Sequence, residues 1–158
     1  MVAVIVWHNL PDILCKVTVP AYNDPSLRKN LTDVELCHWI ASKDLPTGVS
    51  YTVMDSADLP AFRDFRNAWR YDSATKQVYT DIVEARQIQT DRIRAAYDTE
   101  LRRLDALYIE ALMKGNTVAQ QSMAAKRQDV WGLLQTLDLS VYTTSETLKA
   151  AWPPGLPR

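Results

Sequence analysis

An α+β fold is predicted by three features of the sequence. Short apolar runs of strand length are confined to residues 1–70, an unbroken helical run extends from Asp81 to Lys114, and Gly115-Asn116 separates it from a second helical run, Thr117 to about Leu137. Together they describe a small N-terminal β-rich domain with a short helix (residues 1–70), a linker (71–80), a long antiparallel helical hairpin (81–138) and a short C-terminal helix with a Pro-rich tail (139–158).

The strand signals are Val2 to Trp7, Leu14 to Val19 and Ser50 to Met54, bounded by Pro11, Pro20, Pro46-Thr47-Gly48 and Asp55-Ser56. They predict a small antiparallel sheet. Between the second and third runs, Thr32 followed by Glu35 has the spacing of a capping box. The apolar positions after it predict a short helix over Leu31–Ser42 that lies on the sheet. Ala61–Trp69, with Phe62, Phe65 and Trp69, fits either a helical turn or an irregular crossing, and spacing does not decide.

Asp81 as N-cap and Glu84 at the third helical position start the long helix. Tyr97, Leu101, Leu104, Tyr108 and Ala111 then recur at spacings of 4, 3, 4 and 3, a single stripe, and Met123, Arg127, Val130, Leu134 and Leu137 repeat that rhythm with a polar break at Arg127. Joined by Gly115-Asn116, the two stripes zip into an antiparallel pair. The first arm would be roughly 50 Å long and the return arm shorter. Ile82, Val83, Ile88 and Ile93 therefore need cover from the N-terminal domain or another subunit. Thr143–Trp152 reads as a short capped helix stopped by Pro153-Pro154-Gly155.

At 158 residues the chain can bury a core without metal or disulfide staples. The net charge is −1, with 7 basic and 8 acidic residues up to Arg70 and 11 of each after it. No basic surplus points to nucleic acid. Cys15 and Cys37, the only cysteines, suit reduced thiols. The apolar start Met1–Trp7 is too short for a signal-peptide hydrophobic region and carries no basic flank, and no run long enough to span a membrane occurs, so a soluble, unexported protein is expected. The Asn30-Leu31-Thr32 triplet matters only in a secretory context.

Signatures of catalysis are missing. Gly48, Gly115, Gly132 and Gly155 are too scattered for a phosphate-binding loop or a dinucleotide fingerprint. His8, Cys15, Cys37 and His38 are zinc-type ligands without zinc-type spacing, and Cys37 with His8 lacks a visible oxyanion donor. Asp55, Asp58 and Asp64 lack the calcium-loop pattern and read as turn caps. Arg92, Arg94, Arg102 and Arg103 alternate with Asp91, Asp98, Glu100 and Asp105, the pattern of a solvated face of mixed sign. Neither cofactor nor metal is expected. Of the five tryptophans, Trp39 and Trp69 fit the small domain's core, whereas Trp131 and Trp152 stand at positions that suit interface anchors.

Lys43-Asp-Leu-Pro-Thr-Gly-Val-Ser-Tyr-Thr-Val-Met-Asp-Ser-Ala-Asp-Leu-Pro60 and Phe65-Arg-Asn-Ala-Trp69 resemble a small phage protein family encoded among tail and tail-fibre genes. Ala85–Ala96, Leu104-Asp105, Tyr108, Ala111-Leu112, Lys126-Arg-Gln128 and Glu146-Thr-Leu-Lys-Ala-Ala-Trp-Pro153 extend the resemblance over residues 40–153. Phe62 and Val130-Trp131 depart from the family pattern. The C-terminal part is also similar to phage tail-assembly chaperones.

The resemblance implies a non-enzymatic bacteriophage virion protein of the tail, in tail-fibre attachment or tail assembly, made in the host cytoplasm and present in several copies. Its partners would be other tail or tail-fibre proteins, with neither nucleic acid nor membrane. An assembly chaperone absent from the mature virion is the alternative, and a hydrolase centred on Cys37 or the Asp55/Asp58 pair the third reading. The interface candidates are Ile82, Val83, Ile88, Ile93, Trp131 and Trp152.

Overall fold

The computed structural model describes residues 2–8, 15–22, 24 and 31–158. The chain forms two compact units, Met1–Asp81 and Ile82–Arg158.

The first unit is built around β1 (Ala3–His8), the central strand of an antiparallel sheet ordered β2-β1-β3, with β2 Cys15–Thr18 and β3 Ser50–Asp55. The ladders run from Ile5↔Thr18 to His8↔Cys15 and from Ala3↔Asp55 to His8↔Ser50. Both faces of β1 are covered, which is why its sequence is continuously apolar instead of alternating. On one face Ala3 and Ile5 meet Leu36, Cys37, Ile40 and Ala41 of α1 (Asp33–Asp44). On the other, Val4 and Val6 pack with Cys15, Trp69, Tyr71 and Val78.

Helix α1 begins as its spacing predicts. The Thr32 N–H donates to Glu35 Oε2 at 2.8 Å and the Glu35 N–H to Thr32 Oγ1 at 3.3 Å, so each residue satisfies a backbone donor of the other.

The Ala61–Trp69 segment resolves into a 3₁₀ turn, Arg63–Ala68, interrupted at Phe65 (φ −105°, ψ 23°). It delivers two residues to the core, Phe65 and Ala68.

Residues 71–80 are not a linker. They belong to a hairpin, β4 (Trp69–Asp72) and β5 (Gln77–Thr80), whose inward residues Trp69, Tyr71 and Val78 supply the second face of the core. Asp72 makes the turn: Oδ1 accepts from the Ala74 N–H at 2.9 Å and Oδ2 from the Thr75 hydroxyl at 2.8 Å, while Lys76 takes the left-handed conformation at φ 55°.

The second unit holds the predicted hairpin, α2 (Ile82–Met113) and α3 (Thr117–Gln135). Gly115, at φ 66°, donates its N–H to Leu112 O at 3.0 Å, and the Asn116 N–H donates to Ala111 O at 2.9 Å, the pair of bonds that closes a helix through a left-handed residue. Asn116 also caps the return helix, its Oδ1 accepting from the Ala119 N–H at 3.0 Å. The polar break at Arg127 is a cross-link, with Nε 2.7 Å from Asp105 Oδ1 on the other arm.

The expectation that Ile82, Val83, Ile88 and Ile93 need cover from the N-terminal domain or another subunit is corrected at Ile93, which is fully buried, whereas Val83 stays exposed. The segment after α3, containing α4 (Ser145–Ala150), folds back along the start of α2. Arg86 donates from Nε and Nη2 to Tyr142 O at 3.1 and 2.9 Å, and Gln89 Nε2 donates to Ala151 O at 3.0 Å. Ala85, Gln89, Ile93 and Leu148 are all buried within the single chain.

Candidate functional site

The residues weighed for catalysis or metal binding are dispersed by the sheet. Cys15 and His8 lie on the face that meets β4, where the His8 ring stacks on Tyr71 at 4.8 Å, whereas Cys37 belongs to α1 and packs on the opposite face with Ala3 and Ile5. Alternation along β1 thus puts His8 and Cys37 on opposite sides of one sheet, too far apart for a shared ion or proton transfer. Both cysteines are free and buried; burial pushes the Cys15 thiol up to about 11 and raises that of Cys37. A thiol so disfavoured as thiolate is a poor nucleophile. His38 instead shares a 3.1 Å hydrogen bond with Tyr51 OH. Among the described residues no three of His, Cys, Asp and Glu gather where they could hold a metal ion, and no helix is long and apolar enough to cross a membrane.

Of the three aspartates, Asp55 caps a turn. Asp55 accepts from the Ala57 N–H at 3.1 Å, and that bond lowers its pKa. On the long helix Arg103 clasps Glu100 through two bonds of 2.7 and 2.6 Å, which hold the Glu100 carboxyl below its ordinary range. Arg94 stands 3.9 Å from Asp91.

The interface candidates divide. Ile93 is fully buried and Ile82 and Ile88 are half-buried, whereas Val83 and Trp131 are exposed. Trp152 is half-buried, with Nε1 donating to Leu156 O at 3.1 Å. Trp131 borders a shallow groove of about 450 Å³ with Ala124, Arg127 and Gln128.

A larger exposed apolar surface lies elsewhere, at the turn of the hairpin. Ile109 and Leu112 are each 55% exposed, Met113 84% and Val118 76%. Tyr108, Ile109, Leu112 and Met113 have i, i+1, i+4, i+5 spacing, so they form one patch along the last turns of α2. A groove of about 210 Å³ opens beside it, lined by Leu107, Ala111, Ala119 and Met123 with Glu110, Lys114 and Asn116. Of the predicted stripe, Tyr97, Leu104 and Ala111 are buried and Leu101 is half-buried, whereas Tyr108 is exposed and joins the patch. Ile109 and Leu112-Met113 fall outside that stripe, and this doubling of apolar columns is the signal that could have found them.

The N-terminal unit has a cleft of its own, about 350 Å³, lined by Cys15, Lys16, Val17, Arg66, Asn67 and Trp69. Trp69 is 4% exposed, and its indole Nε1 is buried without a hydrogen-bond partner. The same holds for the hydroxyl of Thr80, its cross-strand neighbour. Each such orphaned group costs about 1–3 kcal/mol.

No family model, curated protein or solved structure matches the chain.

Proposed function

We propose that this chain is a non-enzymatic structural protein of a bacteriophage tail, acting in tail-fibre attachment or tail assembly. The observation that carries this reading is the exposed apolar patch of Ile109, Leu112, Met113 and Val118 at the turn of the hairpin. Contiguous apolar surface of this kind is avoided on free monomers and marks protein contacts. The motif order over residues 40–153 supplies the tail assignment by resemblance. The partners are other tail or tail-fibre proteins, contacted by several copies around a symmetric particle. Val83, at the far end of α2, and Trp131, on α3, are further exposed apolar positions apart from this patch. The balanced charge of −1 gives no electrostatic footprint for nucleic acid. Assembly takes place in the host cytoplasm and the protein stays in the tail.

Mass spectrometry of purified virions tests this directly: the chain is expected at fixed stoichiometry, and its absence refutes a virion role. Replacing Ile109, Leu112 and Met113 with Ser is expected to leave the isolated chain folded and to abolish its incorporation.

The second reading, an assembly chaperone that departs before maturation, is favoured by one observation. Met113, a flexible and adaptable side chain, is 84% exposed at the hairpin end beside Leu112, a surface able to re-pack against different clients. Rescue of a fibre protein by co-expression, together with absence from particles, distinguishes it from the first.

A further inference from the structure

We propose that the outer edge of β3 is a pairing site for a second copy of this chain, β3 against β3 in antiparallel register, so that two three-stranded sheets become one. Among the described residues β3 pairs with β1 alone, and at the end of that ladder the Ser56 N–H donates to Val2 O at 2.9 Å. The main-chain groups of successive residues in a strand point to opposite edges. Ser50, Thr52 and Met54 therefore face β1 as Ser56 does, and Tyr51 and Val53 turn their N–H and C=O groups to the open side. Asp55 adds its N–H, while its carbonyl begins the 3₁₀ turn that follows. Edge strands that stay single are normally blunted by Lys, Pro, a bulge or a cover. β3, Ser-Tyr-Thr-Val-Met-Asp, has neither Lys nor Pro, and its ladder to β1 runs without a bulge from Ser50 to Asp55.

The second copy is the occupant because the edge is complementary to itself. A twofold axis through Val53 sets Val53 opposite Val53 and Tyr51 opposite Asp55, the register that engages all the outward residues of both copies. The central pair exchanges a bond in each direction, and each Asp55 N–H gains the Tyr51 carbonyl opposite it. The one charged side chain of β3 is Asp55, at the strand's end, and this register places it against Tyr51 and away from its like. The flank of the strand agrees. His38 Nδ1 lies 3.1 Å from Tyr51 OH, so that column of α1 stands over β3, and Val34, one turn earlier, continues it. Val34 is 42% exposed and Tyr51 37%, so apolar surface borders the open edge. A twofold axis normal to the sheet keeps both copies of α1 on one face and brings these columns toward each other. So short a strand makes a small interface, of the size of weak, reversible complexes. The inference stands apart from the tail reading, because it concerns a different unit and different residues.

The test combines sedimentation equilibrium of the full chain, from micromolar to millimolar, with amide exchange followed by NMR over the same range. A reversible monomer–dimer equilibrium is expected. As the dimer forms, the amides of Tyr51, Val53 and Asp55 should exchange about tenfold more slowly, while those of Thr52 and Met54, bonded to β1, are protected throughout. Val53→Pro removes an outward N–H and leaves every bond to β1, at the kind of position where an edge strand accepts proline. It is expected to weaken the dimer about tenfold, since both bonds of the central pair are lost. If that variant does not fold, Tyr51→Asp, at an exposed position, decides: it sets like charges opposite each other at both ends of the joint and should weaken association several-fold. Ile109→Ser combined with Leu112→Ser separates this contact from the hairpin patch and is expected to leave the dimer unchanged. A monomer at every concentration would overturn the proposal and leave the edge to a foreign strand. It would equally be overturned by a dimer in which Tyr51, Val53 and Asp55 exchange as in the monomer, by one that Tyr51→Asp leaves intact, or by one lost with Ile109 and Leu112.

Discussion

Leu148→Ala tests how the first turns of α2 are covered. Leu148 is fully buried, and it is the one buried side chain of a helix only 6 residues long. Such a helix has no stability of its own, because nucleation costs more than one turn returns. It is held by Leu148, by Arg86 on Tyr142 O and by Gln89 on Ala151 O. Truncation removes three carbons, about 2.4 kcal/mol at ~0.8 kcal/mol each, before any cavity term. The cavity raises the expected loss to about 2–5 kcal/mol. Urea unfolding followed by tryptophan fluorescence should show the midpoint falling accordingly, and amide exchange should rise between Ala85 and Tyr97 as the cover loosens. Leu148→Met, close in volume, should cost under about 1.5 kcal/mol. A loss below ~1 kcal/mol for Leu148→Ala, with unchanged exchange over Ala85–Tyr97, would show that the segment after α3 does not hold this part of the helix.

Three further outcomes are expected. Gly115→Ala should destabilise the second unit by about 1–2 kcal/mol in thermal unfolding. The added methyl would meet nothing within 4 Å, so the cost is conformational and Gly115→Asn should recover much of it. At pH 8 native Cys15, its thiol raised to about 11 by burial, should react with a thiol reagent far more slowly than in urea; equal rates would contradict the buried site. The Thr32 N–H lowers the pKa of Glu35, the Thr75 hydroxyl that of Asp72, Arg103 that of Glu100 and Ser140 that of Asp138. Each carboxylate is therefore easier to ionise folded than unfolded. Their stabilisation is complete above the unfolded values near 4 and is lost as pH falls through the lower folded ones, so the urea midpoint should be flat from about pH 6 to 5 and decline below about pH 4.

Local rules carried much of the fold into view. Thr32 and Glu35 announce α1 because a capping box is a purely local exchange of hydrogen bonds, and Gly115-Asn116 announces the hairpin turn because a left-handed closure favours glycine. What escaped depends on non-local contacts or on substitutes for the usual turn residues. The β4–β5 turn uses Asp72 side-chain bonds and puts Lys76, instead of Gly or Asn, at the left-handed position. The cover over Ile93 is held by Arg86 and Gln89 reaching backbone carbonyls, and apolar periodicity carries no trace of such bonds. The patch at Ile109 and Met113 was hidden for a related reason: stripe reading reports what can be buried, whereas exposure depends on how little the return helix covers. The N-terminal cleft combines Cys15 to Val17 with Arg66 to Trp69, a juxtaposition made by strand pairing and a 3₁₀ turn.

The fold-back of the last segment has a consequence during synthesis. Gln89 and the carbonyl it holds on Ala151 are 62 residues apart, with the helix emerging first and its cover last. At a ribosomal pace of about 5–20 residues per second, roughly 3–12 s pass between translation of the two. For that interval the groups around Gln89 and Ile93 are bare on the nascent chain, open to chaperones or neighbouring nascent copies, and they close only when Leu148 arrives.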